Sequence, residues 1–217
     1  MTNPAQAQFL LGRASYEAAL FPQAEESFWE GEKLDPHYAG LHLALGKLYI
    51  SERRTDDAVK ELGSAVKENA SNEDASYFLG SLLVQEARYT EGIPFLQHAK
   101  ELKPDSWAVY FYLGKAELRL EKPTEAVGLL KMAVALNPEG GAAQYQLGRA
   151  LEAYGEKAAA AQAFSKAREL KADELKGITI PGVRRGRGRS LHCLILWHEL
   201  DRVRPRARMS HGGCRNK

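Results

Sequence analysis

LHLALGKLYISERRTDDAVKELGSAVKENA, residues Leu41–Ala70, and ASYFLGSLLVQEARYTEGIPFLQHAKELKP, residues Ala75–Pro104, are one pattern written twice, 34 residues apart. The Leu-Gly pair inside each extends the register in both directions. Leu11-Gly12, Leu45-Gly46, Leu79-Gly80, Leu113-Gly114 and Leu147-Gly148 follow at steps of 34 with no insertion or deletion. Twelve residues after each glycine stands a small residue, Ala24, Ala58, Gly92, Ala126 or Ala160, and seven further on comes Gly31, Ala65, Ala99, Ala133 or Ala167. Between these rows sits a large apolar residue, Phe28, Leu62, Leu96, Leu130 or Phe164. Proline closes three units at Pro36, Pro104 and Pro138, and Ala70 and Ala172 replace it in the others. A fixed period of about 20 to 50 residues makes each unit one supersecondary element that must stack on its neighbours.

Each unit reads as two helical segments of about a dozen residues, separated by turn or capping residues such as Pro22, Asp56, Thr90, Pro123 and Thr124. Asp56, Thr90 and Thr124 share one place in the period and are predicted N-caps, their side-chain oxygens accepting from free N–H groups of the second helix. Pro94 is placed in the first turn, where a missing N–H costs little. Small residues at three fixed places let helix backbones approach closely. One unit cannot bury its apolar stripe alone, and five exceed the roughly three needed for a stable stack. The fold class is all-α, an α-solenoid of five helix–turn–helix units.

With these rows in place the sequence resembles the tetratricopeptide repeat family, over an array of residues 5–174 divided as 5–38, 39–72, 73–106, 107–140 and 141–174. Residues 1–4 form a leader and 175–217 a tail. The departures are small: the family's aromatic at the eleventh place survives only as Tyr49, and no unit has Trp at the fourth. The resemblance implies a right-handed superhelix. It also implies a concave groove lined by the second, fifth, ninth, twelfth and thirteenth places of each first helix, whereas the fourth, seventh, eighth and eleventh face the core. At about 100° per residue these two sets do fall in opposed sectors.

The implied groove residues are then a fifth-place row of Phe9, Leu43, Tyr77, Phe111 and Tyr145, and a ninth-place row of Arg13, Lys47, Ser81, Lys115 and Arg149. The twelfth-place row adds Tyr16, Ile50, Val84 and Leu118 before ending in Glu152. Groove charges are Arg13, Lys47, Lys115, Arg119 and Arg149 against Glu17, Asp74 and Glu152, a local balance of +2. Rigid aromatics bury area at low entropy cost and cations fix register, so the expected occupant is a protein or peptide with apolar and acidic residues, extended or helical. The competing reading has the fifth-place aromatics packed against the next repeat and the ninth-place cations forming a solvated face. One subset of the family grips chaperone C-terminal carboxylates through Lys and Asn. Apolar Phe9, Leu43, Tyr77 and Phe111 stand where that subset wants Lys, and no Asn is in the ninth-place row, so such a clamp is not expected.

Chemistry of the chain's own is not expected. Hydrophobic residues make up 44% and charged residues 27%, which excludes a disordered or collagen-like chain. No run approaches the roughly 18 apolar residues of a spanning helix, and the start lacks a secretory signal. Cys193 and Cys214 are too few for a disulfide scaffold, and the cytoplasm is the expected compartment. The repeats offer no nucleophile, paired acids, phosphate cradle or dinucleotide fingerprint in a special arrangement. His37, His42 and His98 fall at unrelated places and read as surface or core-edge residues, and Glu25-Glu26 and Asp56-Asp57 as solvated helix or cap positions. No cofactor is implied.

The tail differs in kind. Of the 30 basic and 28 acidic residues, 11 basic and two acidic ones lie from Leu175 onward, so the tail carries +9 and the body −7. Basic residues also shift from mostly Lys to nearly all Arg there, and Pro181-Gly182 occupy the next Leu-Gly places. VRRGRGRS, Val183–Ser190, allows nucleic-acid or anionic-lipid binding, and LHCLILWHEL, Leu191–Leu200, allows a short helix capping the last repeat. His192, Cys193, His198, His211 and Cys214 match no common zinc spacing. The reading that fits best is a segment shaped by other constraints, such as a frame-shifted end. The array is also readable as a detached part of a larger chain.

Overall fold

The computed structural model describes residues 3–177. All expectations attached to the segment beyond them, including the basic runs, the capping helix and the His/Cys set, lie outside the described residues. Among the described residues ten helices form five hairpins: α1 (Pro4–Glu17) with α2 (Phe21–Leu34), α3 (Leu41–Ser51) with α4 (Thr55–Glu68), α5 (Glu73–Gln85) with α6 (Tyr89–Leu102), α7 (Trp107–Arg119) with α8 (Pro123–Leu136), and α9 (Gly141–Tyr154) with α10 (Lys157–Gly177). The last helix runs past Ala172, where the repeat register stops.

Glycine at the eighth place sets the hairpin crossing. A Cβ on Gly12, Gly46, Gly80, Gly114 or Gly148 would stand 2.6–2.7 Å from the Phe or Leu of the paired second helix, Phe28, Leu62, Leu96, Leu130 or Phe164. Only a residue without a side chain admits that contact. At the centre of the array Gly80 and Gly92 bring the backbones themselves together, since a Cβ on either would meet the other's carbonyl oxygen at 2.8–2.9 Å.

Hairpins then bury one another. Ala24 and Phe28 of α2 share a cluster with Leu41, Leu45, Leu48 and Tyr49 of α3 and with Leu62 of α4. Val84, Leu96 and Ala99 do the same with Val109, Leu113 and Ala116 of α7, and Ala126 and Leu130 with Leu147, Ala150 and Leu151 of α9. The seventh-place leucines Leu45, Leu79, Leu113 and Leu147 are buried, whereas Leu11 is 55% exposed. This corrects the expectation that the seventh place is core in every unit: the place is covered by the second helix of the preceding hairpin, and no described hairpin precedes α1.

The turn between the two helices of a hairpin is the same in all five copies and corrects two expectations. Ala19, Arg53, Ala87, Glu121 and Gly155 all have positive φ, between 57° and 99°. The following residue donates its N–H back five positions in the Schellman pattern, Leu20 to Ser15, Arg54 to Tyr49, Arg88 to Leu83, Lys122 to Glu117 and Glu156 to Leu151, at 2.8–3.0 Å. That same residue opens the second helix, so α4, α6 and α8 begin at Thr55, Tyr89 and Pro123. Asp56, Thr90 and Thr124 therefore sit inside the first turn and are not N-caps. The capping positions are held by Arg54, Arg88 and Lys122, without a side-chain cap bond. For the same reason Pro94 lies within α6 beyond its free N–H groups, and the helix runs through it. Side-chain caps occur instead between repeats, where Asn72 accepts from the Ala75 N–H at 3.1 Å, and at α1, where Asn3 accepts from Ala5 at 3.0 Å.

First helices of successive hairpins also touch one another, α1 with α3, α3 with α5, α5 with α7 and α7 with α9, whereas the second helices lack comparable contacts. The first helices thus lie on the inner, more closely spaced side of the array.

Candidate functional site

Five rings run without a break along this inner side in the third and fourth repeats. Phe78 and Tyr77 of α5 have centroids 5.2 Å apart, Tyr77 reaches Tyr112 of α7 at 6.1 Å, Tyr112 meets Phe111 at 5.1 Å, and Phe111 meets Trp107 at 6.4 Å. Interplanar angles of 60° to 81° make these tilted and edge-to-face contacts rather than a flat stack. Helical geometry explains the run. Tyr77 at the fifth place of α5 reaches toward α7, Phe78 at the sixth lies against the first core cluster beside α3, and Trp107 lies one turn before Phe111 on the same face.

Cations flank the rings. The Lys47 Nζ of α3 stands 5.0 Å from the centroid of Phe78 in the next repeat, and the Lys115 Nζ stands 5.9 Å from that of Tyr112. These are cation–π distances. Arg13 similarly approaches the Phe9 ring at 5.8 Å. None of Arg13, Lys47, Lys115, Arg119 and Arg149 has a carboxylate within 4.0 Å among the described residues, whereas Lys33, Arg54, Arg88, Lys103 and Lys122 of the outer surface and turns do. Lys115 is half-buried; desolvation, and then the neighbouring Arg119, hold its pKa below the ordinary lysine value.

The phenols are also desolvated. Burial, with smaller contributions from Tyr112, Glu73 and Asp74, pushes Tyr77 up to about 12, and burial alone raises Tyr112. Neither hydroxyl has a hydrogen-bond partner among the described residues. Neither oxygen is among the fully enclosed, unpartnered side-chain atoms of the described residues, so each keeps some solvent contact.

The other expected groove residues divide. Phe9 packs on Phe28 and Tyr38 of its own repeat, at 6.1 and 5.3 Å, and Tyr145 on Phe164 at 5.6 Å while staying 50% exposed. Leu43, Tyr16 and Ile50 lie half-buried against the first core cluster, and Phe111 and Leu118 against the cluster of α8 to α10. Tyr16 also hydrogen-bonds Ser51 across the repeat boundary at 3.0 Å. Arg149 is partly exposed on α9. Ser81 and Val84 are corrections: at 4% and 1% exposure they are core, Val84 closed over by Val109 and Leu113 and Ser81 turned to donate to the Phe78 carbonyl. The fifth-place aromatics do contribute to inter-repeat packing, as Tyr77 does through Tyr112, but they keep a solvent face as well.

Sequence reasoning passed over Phe78, Tyr112 and Trp107. The signal was available: the sixth place lies only about 60° from the ninth on a helical wheel, and the first about 40° from the fifth. Only in those two repeats are the fifth and sixth places both aromatic, as Tyr77-Phe78 and Phe111-Tyr112.

A recess of mixed polar and apolar lining lies beside Leu43, bounded by His37, Ala39, Ala65, Glu68, Asn69 and Asn72. His42 at the fourth place is a core-edge residue: its Nδ1 is 2.7 Å from the buried Glu61 carboxylate and its Nε2 is 3.3 Å from Glu68, so it ties α3 to α4. No group of three His, Cys, Asp or Glu side chains is arranged to hold a metal among the described residues, and no described helix is long and apolar enough to cross a membrane.

Comparison with known proteins agrees with this architecture. Curated proteins give no match to the chain. Among solved structures, one of MamA is 25% identical, with a TM-score of 0.70 over 76% of this chain and 97% of its own. A second MamA structure is 23% identical, with a TM-score of 0.72 over 83% and 98%, and MamA from Desulfovibrio magneticus RS-1 is 20% identical, with 0.74 over 80% and 98%. The last two speak for the fold alone. The model of the tetratricopeptide repeat matches residues 43–106 and 111–174, more than half of the sequence. Five glycine-crossed hairpins in one register and this match together place the chain in the tetratricopeptide repeat family.

Proposed function

We propose that this protein is a non-catalytic scaffold whose inner face binds a segment of a partner protein carrying apolar side chains and carboxylates. Arrays of this family serve protein interaction in general. The observation that carries it is the unbroken, partly exposed run from Phe78 to Trp107, bordered by Lys47 and Lys115, neither of which has a carboxylate within 4.0 Å among the described residues. Rings already held by packing lose little entropy on binding, and a half-buried ammonium without a counter-ion gains most from a carboxylate that arrives with the ligand.

The test uses the full chain as bait against the Tyr77→Ala/Phe111→Ala double variant, with the captured partner then purified and titrated. Helicity of the variant should persist by circular dichroism while affinity drops at least about tenfold, the usual effect of losing a central aromatic anchor. Undiminished binding, or loss of the fold, would reject the inner face as the binding surface.

A further inference from the structure

The fifth place of the first helix carries a ring in four repeats, Phe9, Tyr77, Phe111 and Tyr145, and Leu43 in the second. The place 29 residues further on is Tyr38, Asn72, Ser106, Gly140 or Glu174. In the first repeat these two places meet, with the Phe9 and Tyr38 rings 5.3 Å apart. In the second repeat alone neither place has a ring, and there the recess beside Leu43 opens, with a volume of about 300 Å³ and Asn72 in its wall. That volume stands at the bottom of the range for ligand pockets and suits one side chain rather than a larger ligand. Leu43, Ala39 and the buried Ala65 supply apolar lining, and His37, Glu68, Asn69 and Asn72 supply polar lining. The polar groups offer both kinds of hydrogen bond. Asn69 and Asn72 each use the side-chain oxygen to accept a backbone N–H, that of Ser71 at 3.0 Å and of Ala75 at 3.1 Å, which leaves both amide NH2 groups as donors. The Glu68 Oε1 is 3.3 Å from His42, and its Oε2 accepts from no described residue.

We propose, resting on the inner-face reading above, that this recess receives a tyrosine side chain of the bound partner, its ring beside Leu43 where the other four repeats place a ring of their own, and its hydroxyl between the Glu68 carboxylate and the Asn69 and Asn72 amides. A phenol both donates and accepts, so it can meet the carboxylate and the amides together. Phenylalanine and leucine meet neither. A lysine, an arginine or an indole N–H brings donors only and leaves the amides without an acceptor, and a carboxylate would be set against Glu68. The recess adjoins the ring run. Lys47 lies one turn beyond Leu43 on α3, and its Nζ stands 5.0 Å from the Phe78 ring where that run begins. A segment laid along the rings from Phe78 to Trp107 thus reaches the recess with one further side chain. Tyrosine serves well as such an anchor, because it buries a large rigid area and keeps a polar tip for the rim.

The experiment records methyl NMR spectra of the full-length protein as N-acetyl-tyrosinamide, N-acetyl-phenylalaninamide or N-acetyl-leucinamide is added. The tyrosine compound should give saturable shifts of the Leu43 and Ala65 methyls at millimolar concentration. The phenylalanine compound should bind about three- to tenfold more weakly, the effect of one net hydrogen bond, and the leucine compound should not bind. Leu43→Tyr, which supplies the ring from within, should abolish the Ala65 response without lowering the thermal unfolding midpoint. Glu68→Leu, which copies Leu102 at the same place of the next repeat, should remove the preference for tyrosine over phenylalanine. An Ala65 response that persists in Leu43→Tyr, leucine binding as tight as tyrosine binding, or no saturable shift at tens of millimolar overturns the inference. A captured partner separates this site from the wider reading. If Leu43→Tyr holds it at full affinity while Tyr77→Ala/Phe111→Ala loses it, the inner face stands and the tyrosine site alone falls. If Leu43→Tyr loses it while the double variant holds it, the recess stands and the ring run falls.

Discussion

Two rows of the same first helices, three residues apart, obey different rules. At the eighth place all five repeats do one thing: a glycine lets a Leu or Phe of the second helix come within 2.6–2.7 Å of where a Cβ would be. At the fifth and sixth places the repeats differ, and only the third and fourth put a ring at both. Phe9 folds back on its own repeat, Leu43 has no ring beside it in the sixth place, Tyr77-Phe78 and Phe111-Tyr112 join α5 to α7, and Tyr145 is half exposed over Phe164. The invariant row is a packing requirement, identical because the hairpin is identical. The variable row is free of that requirement, and its concentration of rings in two repeats is what singles out a place along an otherwise uniform array.

Substitutions graded along this contrast should separate the two rows. The largest effect is expected for Leu62→Ala, which empties a fully buried contact under Gly46 and should cost about 2–5 kcal/mol in urea unfolding. Gly80→Ala comes next. Its Cβ would meet the Gly92 carbonyl oxygen at 2.9 Å as well as Leu96, and backbone cannot turn away as a side chain can, so a loss of about 1–3 kcal/mol should outweigh the helix propensity gained. Gly155→Ala should lose about 1 kcal/mol by placing a Cβ at φ 99°, and it would bring the fifth turn to the state the other four already tolerate with Ala19, Arg53, Ala87 and Glu121. An alanine there that left the unfolding midpoint unmoved would show that the turn is not strained. Gly128→Ala, with nothing within 4 Å of the new methyl, should raise stability by about 0.5–1 kcal/mol. The smallest effect is expected on the inner face, where Tyr112→Phe removes an unpartnered hydroxyl and should change unfolding by less than about 0.5 kcal/mol.

What could be read ahead of the structure followed from contacts that repeat. Leu45, Leu79, Leu113 and Leu147 are buried as the period requires, and Leu11 departs only because its cover would come from a preceding hairpin. The turn was legible as a turn but not as a Schellman cap, because four of its five left-handed residues are Ala, Arg or Glu, none of which announces positive φ; the capping places slipped by two residues as a result. The inner face was half legible. Tyr77 and Phe111 stand where the register puts them. Phe78, Tyr112 and Trp107 were missed, because counting single rows ignores that a ring reaches the neighbouring row. Ser81 and Val84 were overcounted, because α7 with its Val109 and Leu113 closes over that stretch of α5.

The amino-acid sequence by itself determined the unit, its length and the hairpin crossing, since a glycine facing a large apolar residue at constant spacing permits one close-packed arrangement and repeats it. Only the tertiary structure decided which side chains of the first helices remain open. That depends on how far each hairpin overlaps the next, and the overlap is set by the sum of many inter-repeat contacts rather than by any residue's place in the period.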